Sequence, residues 1–343
     1  MKQLVVLSII CLFVGVLFPS CNSFSNPNGY REEYYFDYFD TVSHIYDYSD
    51  DADSDFEHRS KIFEKTLSEY HKLFDIYNEY PGMNNLCTLN KHAGEKEIEL
   101  DKRLIGFLIY AKDICEKTDG EVNIMMGSVL RLWHDARDTS SENEDNAYIP
   151  SAEVLERASE HISLDSLEIY PDRNTARISD PEASIDVGAI GKGYAAEKAG
   201  EALSRDGADG YVLDVGGNLK IIGSKSDGNG WKTGIRDPKD TQNFAHYLTL
   251  SDTSCVTSGD YERFFEYKGK NYHHIIDKDT LMPSEYFSSV TVITSDGGLA
   301  DALSTALFCM SYEDGCELLK DFNDVEVIWI TKDGKKMLTE GLK

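Results

Sequence analysis

The sequence has few basic residues: 34 lysines and arginines stand against 61 aspartates and glutamates in 343 residues, a net charge of −27. Nucleic-acid binding needs a basic surface, so this balance argues against a nucleic-acid partner. It also disfavours electrostatic attraction to anionic lipid. Only 26 glycines and 8 prolines are present, which argues against long disordered segments. With 41% hydrophobic residues, the chain can build the core of one large domain or two small ones.

Cysteines are few and follow no pattern. Two of the seven fall near the N-terminus, and the other five are scattered, with no pair at the spacing of a metal site: Cys87, Cys115, Cys255, Cys309 and Cys316. A chain of this length does not need a disulfide framework. We therefore expect small core residues, with a single disulfide as the alternative for an exported protein.

The longest apolar run, at residues 4–18, is too short for a comfortable membrane span. It follows Met1-Lys2 and ends before Ser20-Cys21, an arrangement typical of a secretory signal. The cysteine after a small residue resembles a bacterial lipoprotein signal, in which residues 1–21 form the signal that ends at Cys21. This cysteine is lipidated and becomes the mature N-terminus, and residues 22–33 form a tether. The chain is then expected outside the cytoplasm, anchored to the cell membrane (on the periplasmic face in a Gram-negative host). The alternative is a plain secreted protein that loses Cys21.

The hydrophobic pattern predicts an α+β fold that is helical first and β-rich later. Residues 35–48 alternate as one strand. Helical spacing follows at residues 56–77, 101–118 and 124–133, and strands dominate from residue 167 onwards. A buried helix is predicted at residues 298–308, and no internal repeat is visible.

The most informative segment is Ser184-Ile185-Asp186-Val187-Gly188-Ala189-Ile190-Gly191-Lys192-Gly193-Tyr194. It predicts a short buried strand, a carboxylate at the strand end, a glycine-rich turn and a helix to about Leu203. Such a turn allows close approach of a ligand, and helix-start amides favour phosphate. Lys192 adds a positive charge. The alternative is an ordinary tight turn.

A second segment, Ala300-Asp301-Ala302-Leu303-Ser304-Thr305-Ala306, places three oxygen-bearing side chains on one face of an otherwise apolar helix. A buried carboxylate needs a partner, and oxygen donors suit a hard cation such as Mg²⁺ or Ca²⁺. The alternative is a carboxylate that accepts backbone hydrogen bonds, beside hydroxyls that bond back to their own helix.

His273 and His274 stand in a predicted strand at residues 273–276. Adjacent strand residues point to opposite faces, so only one of them can face a site, and the pair does not suit a single zinc ion. A histidine near a cation and a phosphate can act as general base for a hydroxyl. The alternative is a surface histidine pair.

Taken in order, these motifs resemble the ApbE family of FAD:protein FMN transferases, from about Phe36 to near the C-terminus. The resemblance rests on Phe39-Asp40-Thr41, residues 118–122 followed by Trp133, residues 186–194, Gly216-Gly217, residues 257–261, 274–277 and 300–305. It implies that residues 34–343 form one flavin-transferase domain. The helical N-terminal part would pack on a β-rich, T-fold-like region, with the flavin site between them.

The resemblance implies a magnesium-dependent transfer of FMN from FAD to a threonine or serine hydroxyl of an acceptor protein, with release of AMP. In this family the acceptors are often subunits of membrane redox pumps or extracytoplasmic reductases. His274 is the implied base for the acceptor hydroxyl, and Asp301 is its rival. The implied metal ligands are Ala189 through its carbonyl, Asp301 and Thr305, with Ser304 beside them. The implied flavin contacts are Phe39, Tyr77, Gly120, Glu121, Val122, Asp186, Lys192 and Ile275.

Two alternative functions remain open at this point: an FAD pyrophosphatase that yields FMN and AMP, and a carrier lipoprotein that leaves FAD intact. The oxygen cluster on the helix speaks against a carrier. Two departures from the family pattern also stand out. The family's Pro-x-Thr-Gly-x-Pro is replaced at residues 278–283 by Lys-Asp-Thr-Leu-Met-Pro, which we expect to change that loop. Phe39-Asp40-Thr41 replaces Met-Gly-Thr, which weakens the case for a Phe39 contact.

Overall fold

The computed structural model describes residues 30–49, 55–225 and 227–343. The predicted signal, the lipidation site Cys21 and the tether up to residue 29 lie outside the described residues. None of the helices described is both long and apolar enough to cross a bilayer.

The described residues form eight α-helices and fifteen strands. The helices are Phe56–Phe74 (α1), Leu86–Lys91 (α2), Lys102–Lys117 (α3), Gly127–Glu142 (α4), Ala152–Ser159 (α5), Gly191–Arg205 (α6), Gly297–Phe308 (α7) and Tyr312–Leu318 (α8). The strands are Arg31–Tyr38 (β1), Thr41–Asp47 (β2), Ile98–Glu99 (β3), Leu167–Tyr170 (β4), Thr175–Ile178 (β5), Tyr211–Val215 (β6), Asn218–Ile222 (β7), Trp231–Asp237 (β8), Asp240–Leu250 (β9), Ser254–Gly259 (β10), Phe264–Tyr267 (β11), Lys270–His273 (β12), Phe287–Thr294 (β13), Glu326–Thr331 (β14) and Lys336–Leu338 (β15).

Eight strands form one antiparallel sheet in the order β1-β2-β6-β7-β10-β13-β14-β15. Most of the helices precede the C-terminal strands of this sheet, so the predicted α+β fold is confirmed. The first two strands nevertheless belong to the same sheet as the C-terminal ones. Because β1 begins at Arg31, the last three residues assigned to the tether, 31–33, are part of a strand instead.

The prediction of one strand over residues 35–48 is wrong, since this segment is a hairpin of β1 and β2. Its turn residues Phe39 and Asp40 have φ values of 57° and 48°. Two successive left-handed residues make the hairpin turn that is usually formed by Asn-Gly. The amide of Phe39 donates to Nδ1 of His71 at 3.2 Å, which holds the turn against α1. The turn contains no glycine, so the alternation of polar and apolar residues continues through it and predicts one uninterrupted strand.

The core lies between the large sheet and the helices α1, α6 and α7, which pack on one of its faces. Helix α7 is buried on nearly all sides because it lies between α6 and strands β10 and β13, and this explains its run of alanine and leucine. The hairpin of β8 and β9 covers apolar residues on other strands of the sheet, including Ile221, Ile293 and Ile328.

A separate apolar cluster joins α4 and α5 to the hairpin of β11 and β12 around Trp133, Leu155 and Phe265. Helix α4 extends to Glu142, nine residues beyond the predicted end at Trp133. The cysteines Cys87, Cys115, Cys255 and Cys309 are buried thiols without disulfides, as expected of small core residues, and Cys316 is partly exposed.

Candidate active site between the glycine turn and helix α7

The glycine-rich motif forms a tight turn into helix α6. The short strand predicted to end at the Asp186 carboxylate is only a single parallel bridge from Ser184 to Met126, and the helix begins at Gly191. Oδ1 of Asp186 accepts a hydrogen bond from the amide of Gly188 at 2.8 Å. The amides of Ile190 and Gly191 donate to the carbonyl of Val187 at 3.1 and 2.8 Å. Three amides of the turn are therefore bonded within the turn itself.

Asp301 of α7 lies directly against the first turn of α6. Its Oδ2 accepts a hydrogen bond of 2.9 Å from the amide of Gly193. The two helices approach so closely here that a Cβ on Gly193 would stand 2.2 Å from the carbonyl oxygen of Gly297 and 2.5 Å from Cβ of Asp301. The anion at this helix start is thus a protein carboxylate. This differs from the expectation that the turn amides hold phosphate.

Lys192 and Asp301 form a charged pair at the edge of this contact. Nζ of Lys192 lies 3.8 Å from Oδ1 of Asp301 and donates to the carbonyl of Gly188 at 3.3 Å. Burial raises the pKa of the Asp301 carboxyl, and the nearby Lys192 ammonium lowers it in part. The carboxylate is 3% exposed, so it is largely desolvated, and a second cation beside it would offset that cost.

The hydroxyls of Ser304 and Thr305 lie on the same face of α7 as Asp301. Both donate to the backbone carbonyl of Asp301, at 2.9 and 3.3 Å. Oγ of Ser258 on β10 lies 2.8 Å from Oγ of Ser304 and 3.4 Å from Oγ1 of Thr305. Hydroxyls that donate to their own helix are what we expect of the alternative in which this face binds no metal. Each hydroxyl oxygen nevertheless keeps lone pairs for another partner.

The donor set is chemically suited to a hard cation. It consists of oxygens alone: one carboxylate, two hydroxyls and the carbonyl of Ala189, which belongs to the half-buried part of the turn. No group of three or more His, Cys, Asp and Glu side chains that could hold a metal occurs in residues 30–49, 55–225 and 227–343. The described residues thus offer no cluster of imidazole, thiolate and carboxylate ligands for a transition metal, whereas hydroxyl and carbonyl oxygens suit Mg²⁺ or Ca²⁺.

The two neighbouring histidines point in different directions, as expected. His273 is buried, contacts Ser284 O through Nε2 at 2.8 Å, and packs edge-on against Phe308. His274 lies just beyond the end of β12, where burial, with the charges of Lys192 and Arg263, lowers its pKa to about 3. Nδ1 of His274 is 3.2 Å from the carbonyl oxygen of Arg263. A carbonyl can only accept, so Nδ1 carries the proton and Nε2 the lone pair.

Arg263 connects His274 to the turn that contains Phe39. Its guanidinium Nη2 donates to the carbonyls of Phe39 and Asp40 at 3.1 and 2.9 Å. Phe39 also packs edge-on against His71, with ring centroids 5.6 Å apart. The structure thus links Phe39 to the segment that carries His274, through a residue that the sequence analysis did not single out.

Tyr77 and Asp186 are linked through His134. The hydroxyl of Tyr77 lies 2.7 Å from Nδ1 of His134, and the same nitrogen is 4.0 Å from Oδ2 of Asp186. Burial lowers the pKa of His134, which keeps it neutral at neutral pH, and burial with the Asp186 charge raises the pKa of Tyr77 to about 12. These three side chains form one polar row beside the glycine turn.

The segment after α3 joins the site through Glu121 and Ile124. Gly120 has a φ of +75° after Asp119 at +50°, and this double left-handed bend ends the helix. Oε1 of Glu121 is 3.3 Å from Nζ of Lys278, and burial raises the pKa of Glu121. The carbonyl of Ile124 accepts from the amide of Asp186 at 2.9 Å.

Val122 and Ile275 are both buried, and their backbones hold the neighbouring segments in place. The amide of Val122 donates to Oγ1 of Thr118 at 3.4 Å, and the carbonyl of Ile275 accepts from the amide of Ser284 at 3.0 Å.

The loop that departs from the family pattern adopts a left-handed residue without glycine. Leu281 has a φ of 58°, and its side chain is buried beside Trp133. The indole nitrogen of Trp133 donates to the Leu281 carbonyl at 3.0 Å, and Oδ1 of Asp277 accepts from the amides of Asp279 and Thr280. These bonds hold a conformation that is strained for leucine.

Sequence reasoning missed four residues of the site: His134, Arg263, Ser258 and Lys278. Two of them had a visible signal, since His134 follows the motif residue Trp133 and Ser258 stands inside the quoted motif at residues 257–261. Arg263 and Lys278 contact segments that are far apart from them in sequence, so the local spacing of residues cannot predict these contacts.

The sequence and the fold were compared with those of known proteins. The model of the ApbE family matches residues 39–329. An FAD:protein FMN transferase of Treponema pallidum is 32% identical over 272 residues, covering 75% of this chain and 73% of the relative. One from Klebsiella pneumoniae is 28% identical over 278 residues, covering 80% and 82%. A crystal structure of the ApbE protein from Thermotoga maritima superposes with a TM-score of 0.80 at 28% identity, covering 91% of this chain and 98% of that one.

The fold and these relatives identify an enzyme of the transferase class. The chain belongs to the ApbE family.

Proposed function

We propose that this protein transfers FMN from FAD to a threonine or serine hydroxyl of an acceptor protein, with Mg²⁺ as cofactor and AMP as leaving group. The relatives named FAD:protein FMN transferase support the flavin substrate and the protein acceptor. The observation that carries the proposal is the position of Asp301, whose buried carboxylate lies 3.8 Å from Lys192 and is bonded to the first turn of α6.

The residues that would hold Mg²⁺ are Asp301, Thr305, the carbonyl of Ala189 and, beside them, Ser304. When bound, the ion would neutralise negative charge on the phosphate oxygens of FAD. Lys192, with its flexible ammonium at the same edge of the site, would contact the pyrophosphate. The isoalloxazine and ribityl parts would lie along Phe39, Tyr77, Gly120, Glu121, Val122, Asp186 and Ile275.

In the proposed reaction, the acceptor hydroxyl oxygen bonds to the phosphorus on the FMN side of the pyrophosphate, and the bond from that phosphorus to the AMP oxygen breaks. The hydroxyl proton passes to Nε2 of His274, the nitrogen that carries the lone pair. A pKa of about 3 keeps this imidazole neutral before substrate binds. An anionic pyrophosphate beside it would raise that pKa and make it a better base.

Asp301 is the less suitable base because its carboxylate already accepts the amide of Gly193 and lies near the Lys192 ammonium. Both contacts stabilise the charged carboxylate and offset part of the rise in its pKa that burial causes, and a cation bound to this carboxylate would lower that pKa further. We therefore assign the proton to His274 and the cation to Asp301.

The test is an incubation of the protein with FAD, MgCl₂ and a purified redox-pump subunit as acceptor, analysed by chromatography and by intact-mass measurement. The proposal expects an acceptor whose mass rises by one FMN, with AMP released in equal amount. Free FMN and AMP with an unchanged acceptor would show a pyrophosphatase instead. Intact FAD in the presence of Mg²⁺ would show a carrier. Omission of the acceptor and addition of EDTA are the matched controls.

We also propose that Cys21 carries a lipid that anchors the protein to the outer face of the cell membrane, as its sequence context suggests. Expression of the full chain with a labelled fatty acid tests this proposal. Label on the wild type and its loss in Cys21→Ser are expected. Unlabelled wild-type protein released into the extracytoplasmic fraction would contradict it.

A further inference from the structure

A large cleft lies on the other side of the chain segment that carries His274. Its volume is about 1040 Å³. Aromatic side chains and two lysines make up much of its lining: Tyr261, Phe264, Tyr272, Tyr286, Lys270 and Lys332. The lysines are paired across the cleft wall with Glu285 at 2.6 Å and Asp260 at 2.7 Å.

The cleft is distinct from the flavin side of the site, since none of the residues implied in flavin or metal binding lines it. The two sites share one wall nonetheless. His273 lines the cleft, whereas His274, the next residue, faces Lys192 and Arg263. A molecule in this cleft would therefore lie one residue away from the proposed base.

The cleft also reaches towards the hydroxyls of α7. Its lining includes Asp260, two residues beyond Ser258, whose hydroxyl contacts Ser304 at 2.8 Å. Strand β10 ends at Gly259, and the amide of Asp260 donates to the carbonyl of Ser288 where the chain turns. Two residue steps from Ser258 to Asp260 span at most about 7 Å, a distance that a single side chain or a short stretch of peptide can bridge.

One wall of the cleft is a strand with an edge for pairing. All four residues of β12 line the cleft, and among the described strands β12 pairs with β11 alone. An extended peptide can add to such an edge through main-chain hydrogen bonds while its side chains enter neighbouring pockets. Phe264 and Tyr286 stand exposed at the cleft, and aromatic side chains of this kind are common anchors in protein interfaces.

We infer that the cleft between the β11–β12 hairpin and residues 280–286 binds an extended segment of the acceptor protein next to its reactive hydroxyl. This inference rests on the proposed function and adds to it the surface that selects the acceptor. A segment held here lies one residue from His274, so its reactive hydroxyl would reach the FAD phosphate by passing round the edge of the shared wall.

The experiment compares two aromatic truncations in the cleft with two matched truncations elsewhere. Phe264→Ala and Tyr286→Ala remove side chains that are 47% and 48% exposed. Phe244→Ala and Tyr247→Ala on β9 remove the same residue types at 49% and 52% exposure, outside the cleft. The probe is a purified extracytoplasmic redox-pump subunit that the wild-type protein flavinylates, and Tm confirms that each variant is folded.

The cleft variants are expected to raise KM for the acceptor by about tenfold, with KM for FAD and acceptor-independent FAD hydrolysis unchanged. The β9 variants are expected to match the wild type. Equal KM values for cleft and β9 variants would overturn the inference and leave the transferase proposal intact. A wild-type protein that hydrolyses FAD without marking the acceptor would instead overturn the proposed function.

Hydrogen exchange gives a second readout that does not depend on activity. With the acceptor subunit present at several times its KM and FAD omitted, amides of residues 264–273 and 280–286 are expected to exchange more slowly. Those of residues 243–250, none of which lines the cleft, serve as the internal control and should not change. Protection confined to another surface, or no protection at all, would overturn the inference.

Discussion

The amide of Gly193 and the carboxylate of Asp301 are 108 residues apart in sequence, yet they form a 2.9 Å hydrogen bond at the crossing of α6 and α7. This single contact brings the glycine motif and the polar face of the apolar helix into one site. It also places the carboxylate where the partial positive charge of the α6 N-terminus stabilises it.

The first prediction concerns that crossing. In Gly193→Ala the added methyl would overlap the Gly297 carbonyl, a backbone atom that cannot move aside. We expect a loss of about 1–3 kcal/mol in the free energy of unfolding and a loss of transferase activity as the helices separate. Gly106→Ala in α3 is the control, because no atom lies within 4 Å of the methyl that it adds. Denaturant unfolding of both variants provides the measurement, and equal stability would contradict the tight crossing.

The second prediction concerns the cost of the buried charge. Burial raises the pKa of Asp301, so ionisation of this group at neutral pH opposes folding. Without Mg²⁺, Asp301→Asn should therefore raise Tm by about 2 °C at pH 7, since the amide oxygen still accepts from Gly193. In the presence of FAD, addition of MgCl₂ should raise the Tm of the wild type above its value with FAD alone, but should not do so in the variant.

Asp321→Asn, at an exposed aspartate outside the site, is the control for this experiment and should respond to Mg²⁺ as the wild type does. A response in Asp301→Asn equal to that of the wild type would remove Asp301 from the metal site.

The third prediction uses the opposite pKa shifts of two histidines. Burial lowers the pKa of His274 to about 3, below the value near 6.5 of an unfolded chain. The unfolded state therefore binds its proton first, and stability is lost as the pH falls from about 6.5 to about 3. His274→Gln removes this contribution and should flatten the decline of Tm between pH 7 and pH 4.

His161 is the control of opposite sign, since its hydrogen bond to Asp180 raises its pKa. Its contribution is fully present below about pH 6.5 and is lost as the pH rises through the folded pKa. His161→Gln should therefore lower Tm more at pH 6 than at pH 9, and leave the decline of Tm between pH 6 and pH 4 as it is in the wild type. Identical profiles for the two variants would contradict the environments described for these histidines.

The fourth prediction concerns the polar row beside the glycine turn. Tyr77→Phe keeps the ring and removes the 2.7 Å hydrogen bond to His134. If this row orients the flavin contacts, Kd for FAD should rise by about threefold to tenfold, the equivalent of one hydrogen bond. Tyr80→Phe removes a bond of the same length to Asp75 and should leave Kd unchanged. Fluorescence titration with FAD measures both, and equal Kd values would exclude a role for the row.

Sequence patterns identified the elements whose side chains repeat with a clear period. The helix predicted at residues 298–308 is observed at Gly297–Phe308, and the helix predicted at residues 101–118 is observed at Lys102–Lys117. Sequence patterns did not predict the turns that lack glycine or asparagine. Phe39 and Asp40 reverse the chain without glycine, and Leu281 is left-handed where the family has glycine, because tertiary contacts rather than local preference hold these conformations.

In the candidate site, too, local spacing predicts some features, whereas others depend on tertiary packing. The shared face of Asp301, Ser304 and Thr305 follows from helical spacing alone. The hydrogen bond from Gly193 to Asp301 does not, because it depends on how two helices cross. Likewise, His134 lies between Tyr77 and Asp186 only after three separate segments have packed together.

The most direct test of the central claim is anomalous diffraction from crystals soaked with FAD and Mn²⁺ in place of Mg²⁺. The account predicts one strong peak within about 2.5 Å of the Asp301 carboxylate and near the Thr305 hydroxyl and the Ala189 carbonyl, in contact with the FAD phosphates. A peak elsewhere, or bound FAD with no metal at Asp301, would contradict it.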